Sequence, residues 1–285
     1  MSQETINQPV TTTMEIPKHM REGKGVWGRL PVVPRRVALL VFFVLIWQLY
    51  ITLFSPDSLL ISSPFEVLRT IVTGFGDGAL LSATVTTLRI LLTAMLIGMV
   101  VAAVLTTLAT WTRIGDDLLV LLTSMLNPLP AIALLPLAIL WFGLNTTSLT
   151  IVIANSVVWP IALNVSMGFK TVNPTLISVG RNMGMSGWRM VRNVLIPAAL
   201  PHTLTGLKTG WAFGWRTIIA AELVFGVAGG GGGLGFYIND ARYFLRTPEI
   251  FAGLITIAII GILLESLFSW VERRTVIRWG MKSSA

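Results

Sequence analysis

Long, unbroken apolar runs are the feature of this sequence that most limits what it can fold into. Runs such as residues 37–54, 80–110 and 250–271 are long enough, as helices, to cross the roughly 30 Å hydrocarbon core of a bilayer. Only 12% of the 285 residues are charged, against about 25% in an ordinary soluble domain. The sequence therefore predicts an integral membrane protein.

The apolar runs predict an all-α fold with about six membrane-spanning helices. Because the runs are continuous rather than alternating, a transmembrane β-barrel is disfavoured. Residues 1–36 and 276–285 are then polar tails on either side of a transmembrane domain at 37–275. The predicted spans are residues 37–54, 80–110, 118–142, 148–169, 199–227 and 250–271.

The basic residues predict how these spans are oriented. With the N-terminus inside, the only Lys and Arg residues in outer segments are Arg69, Arg242 and Arg246, out of 21 in the chain. Cytoplasmic segments carry an excess of Lys and Arg. We therefore expect both termini, and the segment between the fourth and fifth spans, to be cytoplasmic. The net charge of +8 then reports topology and does not indicate nucleic-acid binding.

The composition argues against several kinds of chemistry. The chain has no cysteine and two histidines, which excludes disulfides and thiolate sites and leaves too few ligands for a histidine-based metal cluster. No Ser/His/Asp set or paired carboxylate motif emerges from the spans. We expect no catalytic residue, no bound metal and no cofactor in this chain.

Two segments outside the spans have recognisable patterns. Residues 55–75 have apolar side chains at helical spacing after Pro64, which predicts a helix lying on the outer leaflet. Residues 226–235, GVAGGGGGLG, predict a flexible outer loop, with a mobile outer gate as the alternative. No Lys-Ser or Lys-Thr follows these glycines, so they are not a nucleotide-binding loop.

A short polar segment, SVGRNMGMSGWRMVRNVLIPAALP, interrupts the apolar pattern between the fourth and fifth spans. Gly184 and Gly187 would weaken a single helix there and predict a tight turn between two short ones. Pro197 and Pro201 are suited to the start of the next span, where the missing N–H groups cost little.

The apolar side chains of this segment allow two interpretations. Met183, Val191 and Val194 fall near one side at helical spacing, and Trp188 adds a large apolar group. The segment is either a docking surface for a soluble partner or an amphipathic loop resting on lipid headgroups. The residues alone leave both open.

The third span contains a cluster of prolines. Prolines free backbone groups, which are tolerated at membrane depth where protein or a water-filled cavity satisfies them. The cluster is therefore either part of a translocation pathway near the inner gate or a packing kink. The candidate pathway residues here are Asn127, Pro128 and Pro130.

Two ionisable residues of the fifth span, Arg216 and Glu222, are the other candidates for the pathway. Charged groups inside a membrane are costly and face the protein interior. They either form ion pairs that fix helix packing, with Arg89, Glu265 or a second copy of the chain as possible partners, or contact an anionic substrate, or lock a gate.

The segment at residues 172–198 resembles the EAA coupling motif found in permease subunits of binding-protein-dependent ABC importers. That motif reads Glu-Ala-Ala, three residues, Gly, nine residues, then Ile-x-Leu-Pro. The residues that match it at the right spacing are Gly184, Val194, Ile196 and Pro197. The residues that replace Glu-Ala-Ala, and so remove a carboxylate, are Ser178, Val179 and Gly180.

Further stretches in the same order resemble the nitrate/taurine/alkanesulfonate branch of these permeases. They are NPLPAIALLPLAILWFGL from residue 127, PAALPHTLTGLKTG from residue 197, AAEL from residue 220 and GLGFYI from residue 233. The resemblance covers roughly residues 37–275.

The resemblance implies that the coupling segment sits in a groove of a separate ABC ATPase, present in two copies, which binds ATP and Mg. This chain carries no Walker A sequence, so it is not itself expected to be an enzyme. The residues implied for contact with the ATPase are Ser178, Val179, Gly180, Arg181, Met183, Gly184, Trp188, Val194 and Pro197.

The resemblance also implies a type I importer in the bacterial cytoplasmic membrane. Two identical copies of the chain would form the pore, and an extracytoplasmic binding protein would deliver a small anion such as nitrate, a sulfonate, bicarbonate or a carboxylate. The alternative is a secondary transporter driven by an ion gradient. It does not account for the coupling-like segment, and the hydropathy shows no pair of inverted halves.

Overall fold

The computed structural model describes residues 32–54, 59–225 and 232–277. Most of both predicted tails, and residues 226–231 of the glycine-rich loop, lie outside the described residues. The chain divides into two compact units, Met1–Ser55 and Pro56–Ala285. The described part of the first is one 23-residue helix, α1 (Val32–Phe54), which begins five residues before the predicted first span.

The second unit is helical and contains no strand in its described part. Its helices are α2 (Pro64–Gly76), α3 (Ala79–Trp111), α4 (Arg113–Leu126), α5 (Leu135–Phe142), α6 (Thr146–Lys170), α7 (Pro174–Asn182), α8 (Gly187–Met190), α9 (Ile196–Phe225), α10 (Leu234–Tyr243) and α11 (Thr247–Glu272). A 3-10 turn (Ala131–Leu134) precedes α5, a π turn (Val191–Leu195) joins α8 to α9, and a second π turn (Arg273–Ile277) follows α11.

Four helices of the described chain, α1, α3, α6 and α11, are long and apolar enough to cross a membrane, and α4 with α5 makes up to five. These correspond to the first, second, third, fourth and sixth predicted spans. The fifth predicted span corresponds to α9, which has 30 residues and at 1.5 Å per residue is about 45 Å long. It is long enough but less apolar, so its membrane crossing stays a prediction.

The third predicted span is not one straight helix. α4 and α5 are bent by 91° at the break between them. The break begins after Asn127, whose N–H still donates to the Thr123 carbonyl at 3.1 Å; Pro128 and Pro130 follow and have no N–H to continue the helix. The predicted interruption by prolines is confirmed, and the bend is much sharper than a kink.

The centre of the second unit is the pair α6 and α9, which run antiparallel. Gly206, Gly210 and Gly214 lie four apart on one face of α9. A Cβ on Gly206 would lie 2.9 Å from the Asn164 Cβ, and one on Gly210 would lie 3.0 Å from the Ile161 Cγ1. These glycines therefore let the two backbones approach closely, as small residues do between membrane helices.

α2 matches the helix predicted after Pro64. Ser63 caps it: its hydroxyl accepts from the Glu66 N–H at 3.2 Å, while the Glu66 carboxylate accepts from the Ser63 N–H at 3.0 Å. Val67 is buried where α2 packs on α3 and α11, and Phe65 is exposed on the other side. Its position on a leaflet stays a prediction.

Candidate coupling site and buried carboxylate cluster

The coupling segment begins with a capped helix. Asn173 precedes α7, and its side-chain oxygen accepts from the Thr175 N–H at 2.8 Å, with Pro174 in the first turn. The hydroxyl of Ser178 donates to the Pro174 carbonyl at 3.0 Å, so it is engaged within its own helix. These contacts define the start of α7 without any group from outside the segment.

A two-glycine turn ends α7 and starts α8. Gly184 and Gly187 have φ of 73° and 52°, in the left-handed region that glycine adopts without steric cost. The Met185 N–H donates to the Gly180 carbonyl and the Gly184 N–H to the Arg181 carbonyl, both at 2.9 Å, which is the Schellman pattern of helix ends. The predicted tight turn is confirmed.

Gly180 is the point where α7 packs on the elements after the turn. A Cβ on Gly180 would lie 3.0 Å from the sulfur and Cε of Met190 and 3.3 Å from a methyl of Val194. Met190 is buried. The two short helices thus form one small unit whose contact depends on the absence of a side chain at Gly180.

The outward face of this unit is apolar. Met183 is 69% exposed, Trp188 60% and Val179 49%, so the predicted exposed Met and Trp surface is confirmed. The prediction that Met183 shares a helix face with Val191 and Val194 is wrong. The turn at Gly184 and Gly187 separates them, and both valines are half-buried.

The same unit is electropositive. Arg181, Arg189 and Arg192 are exposed, and none of them forms an ion pair within residues 59–225 and 232–277. A unit that exposes both apolar side chains and arginines without such ion pairs suits an acidic protein groove or a phosphate-bearing surface. Both interpretations of the segment remain compatible with this geometry.

The segment is fixed to the helical bundle at both ends. Lys170, the last residue of α6, pairs with Asp116 in the first turn of α4 at 2.7 Å. On the other side the π turn runs without a break into α9, with Pro197 in its first turn. A displacement of the segment is therefore also a displacement of the start of α9.

The predicted pathway residues are spread over three different environments. Asn127, Pro128 and Pro130 are exposed at the bend between α4 and α5, and Arg216 is exposed on α9. Glu222 is completely buried, at 0% exposure. The structure does not bring Arg216 and Glu222 together.

Glu222 is satisfied by hydrogen bonds rather than by a cation. The Thr87 hydroxyl, on α3, lies 2.9 and 3.0 Å from the two carboxylate oxygens, and the Gly235 N–H donates to the carboxylate at 2.9 Å. The Leu234 N–H in turn donates to the Thr87 oxygen at 2.8 Å. The N–H groups at a helix start attract negative charge, so the first turn of α10 takes the place of a cationic partner.

Within the described residues, neither Glu222 nor Arg216 makes an ion pair, so the pairing expected with Arg89 or Glu265 is wrong there. Glu265 pairs instead with Lys208, at 2.5 Å, and so links α11 to α9. Arg89 is exposed and makes no ion pair in the described part of the chain.

Two glycines make room for the cluster around Glu222. A Cβ on Gly233 would overlap the Glu222 carboxylate and the Thr87 hydroxyl, and one on Gly235 would lie 2.6 Å from the Glu222 Cβ. The predicted loop at 226–235 is thus wrong at its end, because α10 already begins at Leu234. Sequence reasoning missed Thr87, since nothing local marks a threonine whose partner is 135 residues away.

A polar cleft of about 290 Å³ lies beside α10, between it and α2. Arg246 on its edge pairs with Asp240 and, at 3.0 Å, with Glu249.

Tyr237 also lines this cleft. Burial raises the pKa of the Tyr237 phenol to about 12, with the negative charge of Glu249 adding to the effect. No group of three metal-ligating side chains occurs within the described ranges.

Comparison with known proteins decides the family. Residues 94–277 match the family model described as "Binding-protein-dependent transport system inner membrane component". The chain belongs to this family. As a binding-protein-dependent permease it is a transport protein of the inner membrane, and the family predicted from its motifs is confirmed.

Curated relatives of this permease include transporters of sulfonates and nitrate. The taurine transport system permease protein TauC of Escherichia coli (strain K12) is 32% identical over 261 residues, which is 90% of this chain and 94% of TauC. The putative aliphatic sulfonates transport permease protein SsuC of Bacillus subtilis (strain 168) is 34% identical over 55% of both chains. The nitrate import permease protein NrtB of Synechocystis sp. is 33% identical over 54% of both chains.

Solved structures of the same fold come from other ABC transporters. An amino acid ABC transporter crystallised with histidines superposes with a TM-score of 0.58 at 19% identity, covering 71% of this permease and 97% of that chain. The MetNI methionine ABC transporter in an inward facing conformation gives 0.53 at 18% identity, covering 70% and 95%. The predicted fold, an all-α ABC importer permease, is confirmed.

Proposed function

We propose that this permease imports a small anion of the sulfonate or nitrate class, with ATP hydrolysed by a separate subunit. The observation that carries the proposal is the likeness to TauC, which extends over 94% of TauC. SsuC and NrtB, whose names give aliphatic sulfonates and nitrate, support the same chemical class. All three solutes named are small molecules that carry an oxyanion.

The ATPase would dock on the unit formed by α7, the glycine turn and α8. Exposed Met183 and Trp188 offer apolar anchors, and Arg181 and Arg189 offer charge that no residue of the described chain neutralises. Aromatic residues, methionine and arginine are enriched at protein interfaces. Two ATPase copies would bind ATP and Mg, and their closure would bias the permease between inward-open and outward-open states.

The translocation pathway would pass the bend between α4 and α5. Asn127, Pro128 and Pro130 are exposed there, and backbone freed by prolines lines cavities in other transporters. Arg216 is exposed and without an ion pair in the described residues, which fits a cation that meets the passing anion. Glu222 is too deeply buried for that role, so it stabilises the fold.

The assembly would contain two copies of this chain and an extracytoplasmic binding protein. The excess of Lys and Arg supports a cytoplasmic position for the coupling segment, so the binding protein would dock at the opposite end, on the side of α2, α10 and the turn before α11. The membrane is the bacterial cytoplasmic membrane, with both termini inside.

Reconstitution tests this proposal directly. The tagged permease is purified from its native membrane in mild detergent, and the proteins that accompany it are identified by mass spectrometry. Equal amounts of a soluble ATPase, and uptake of radiolabelled taurine or nitrate into proteoliposomes that needs ATP inside and the binding protein outside, are the expected results. Uptake without ATP that stops when an ion gradient is collapsed would establish a secondary transporter instead.

A further inference from the structure

α9 connects the two ends of the second unit in one piece. Its first residue, Ile196, directly follows the π turn of the coupling segment, and Glu222 stands three residues before its last, Phe225. The helix continues without a break through Pro201, and its 30 residues span about 45 Å. A movement at the coupling segment therefore reaches Glu222 without crossing a loop.

Glu222 fastens that end of α9 to α10. We name the set of contacts the Glu222 clamp: the Glu222 carboxylate, the Thr87 hydroxyl, and the backbone N–H groups of Leu234 and Gly235. The clamp brings together three helices, α9, α3 and α10. It is buried, with both Glu222 and Thr87 at 0% exposure.

The clamp acts as the N-cap of α10. The residue at the cap position is Gly233, which has no side chain to accept from the first N–H groups of the helix. Buried N–H groups at a helix start need acceptors, and here Thr87 and Glu222 supply them from other helices. α10 cannot shift relative to α9 without leaving these groups unpaired.

Ion pairs fix an exposed turn, between α10 and α11, to α10. Asp240 on α10 and Glu249 on α11 both pair with Arg246, which closes the turn between the two helices. The side chains of Tyr243, Phe244 and Leu245 on this turn are exposed. The turn thus moves as one with α10 and presents an apolar surface at the end opposite the coupling segment.

We propose that Glu222 is a positioning residue that carries the displacement of the coupling segment, through α9, to α10 and the exposed turn at residues 243–245. This inference rests on the proposed function, because an ATPase must supply the displacement. It gives Glu222 a role in transport although the side chain does not contact the pathway. It also gives Thr87, on a different helix, a share in that role.

Thr87→Val is the decisive variant, with Thr87→Ser as its matched control. Valine has nearly the shape of threonine but neither accepts from Leu234 nor donates to Glu222, whereas serine keeps the hydroxyl. Both are tested in the purified permease–ATPase complex, with a single spin label at Phe244→Cys. The chain has no native cysteine, so the label is unique in each copy.

The readout is the distance between the spin labels of the two permease copies. It is measured by pulsed electron paramagnetic resonance, with and without ATP and vanadate. We expect nucleotide to shift this distance in the parent and in Thr87→Ser, and not in Thr87→Val. The basal ATPase rate of Thr87→Val should stay near the parent rate, while ATP-driven uptake falls by about tenfold or more. A clamp that only stabilises folding would lower the yield of complex and leave the nucleotide-dependent shift intact.

The same measurement separates the possible failures. A full shift in folded Thr87→Val, or no shift in a transport-competent parent, overturns the transmission role. If Thr87→Val gives no folded complex, Glu222→Gln takes its place, because glutamine keeps the shape but replaces one of the two oxygen acceptors of the clamp with an NH2 donor and removes the charge. A reduced shift with normal basal ATPase then supports the role, and a full shift overturns it. If the parent permease binds no ATPase, the proposed function is wrong, and this inference is wrong with it.

Discussion

The two ends of the second unit differ in how the termini of their helices are capped. At the coupling segment, α7 is capped by its own neighbours: Asn173 at the start and the Gly184 turn at the end. At the other end, α10 has a glycine, Gly233, at its cap position, and its first N–H groups are accepted by Thr87 and Glu222 on two other helices. The first device is local and the second depends on the packing of the whole unit.

The two regions also differ in burial: the locally capped coupling segment is exposed, whereas the Glu222 clamp is buried. The coupling segment exposes Met183, Trp188 and three arginines, and it has open space around Gly184 and Gly187. The Glu222 clamp is buried and has no free space around Gly233 or Gly235. Substitutions at the clamp should therefore affect folding first, whereas substitutions at the coupling segment should affect the partner first.

Glu222→Ala should have the largest effect on folding of any single substitution at either end. It removes the acceptor of the Gly235 N–H and of the Thr87 hydroxyl and leaves an empty space in a fully buried site. Each buried group left unpaired costs about 1–3 kcal/mol, so we expect a loss of about 3 kcal/mol or more. The measurement is the unfolding temperature and yield of the permease in detergent.

Glu222→Gln is the control for that substitution. It keeps the shape and one oxygen acceptor, so the yield should fall less than for Glu222→Ala. Equal stability of the parent and Glu222→Ala would show that the clamp contributes nothing to folding, and the contrast between the two ends would disappear.

Gly233→Ala should come next. Its Cβ would overlap the Glu222 carboxylate and the Thr87 hydroxyl, and overpacking of this kind costs about 1–3 kcal/mol. Gly76→Ala, at the end of α2, is the matched control, since a Cβ there meets nothing within 4 Å. Thermal unfolding of the two variants side by side should show a loss for Gly233→Ala alone. A similar loss in both would mean that the space around Gly233 is not limiting.

The sequence was sufficient to predict what depends on local pattern. Apolar runs located five of the spans as helices, and the prolines after Asn127 marked the break between α4 and α5. Gly184 and Gly187 marked a turn whose φ values the structure confirms. Each of these signals lies within a few residues of the feature it predicts.

What the sequence could not give depends on contacts between distant residues. The partner of Glu222 was expected to be a charged group such as Arg89, and the Thr87 hydroxyl was missed because it lies 135 residues away in the sequence. The 91° bend was missed because prolines predict an interruption but not its angle. The first two residues of α10 were predicted as loop because they follow a run of glycines, and the acceptors that stabilise the start of this helix belong to other helices.

Gly184→Trp should separate transport from folding at the coupling end. The left-handed φ of 73° costs a residue other than glycine about 1–2 kcal/mol, a smaller loss than at the clamp, and the indole extends into open space. We expect near-normal yield in the membrane, ATPase activity that persists, and uptake reduced by about tenfold or more. Gly184→Asn, which tolerates this φ, should keep most of the uptake. Unchanged uptake in Gly184→Trp would contradict docking at this turn.

Arg189→Gln should have the smallest effect on stability and the clearest effect on docking. Arg189 is exposed and makes no ion pair in the described part of the chain, so its replacement should change the free energy of unfolding by less than about 0.5 kcal/mol. If the ATPase meets the arginines with acidic groups, the complex should become weaker and less sensitive to salt. Salt weakens the attraction between exposed charges, with a screening length of about 10 Å at 0.1 M ionic strength, and the variant has one such attraction fewer. The dissociation constant of the purified ATPase, measured at low and high salt for the parent and the variant, tests this.

Arg69→Gln is the control at the opposite end, because Arg69 is exposed on α2. It should leave the dissociation constant unchanged. An equal loss of affinity in both variants would mean that net charge, rather than the coupling segment, governs the association.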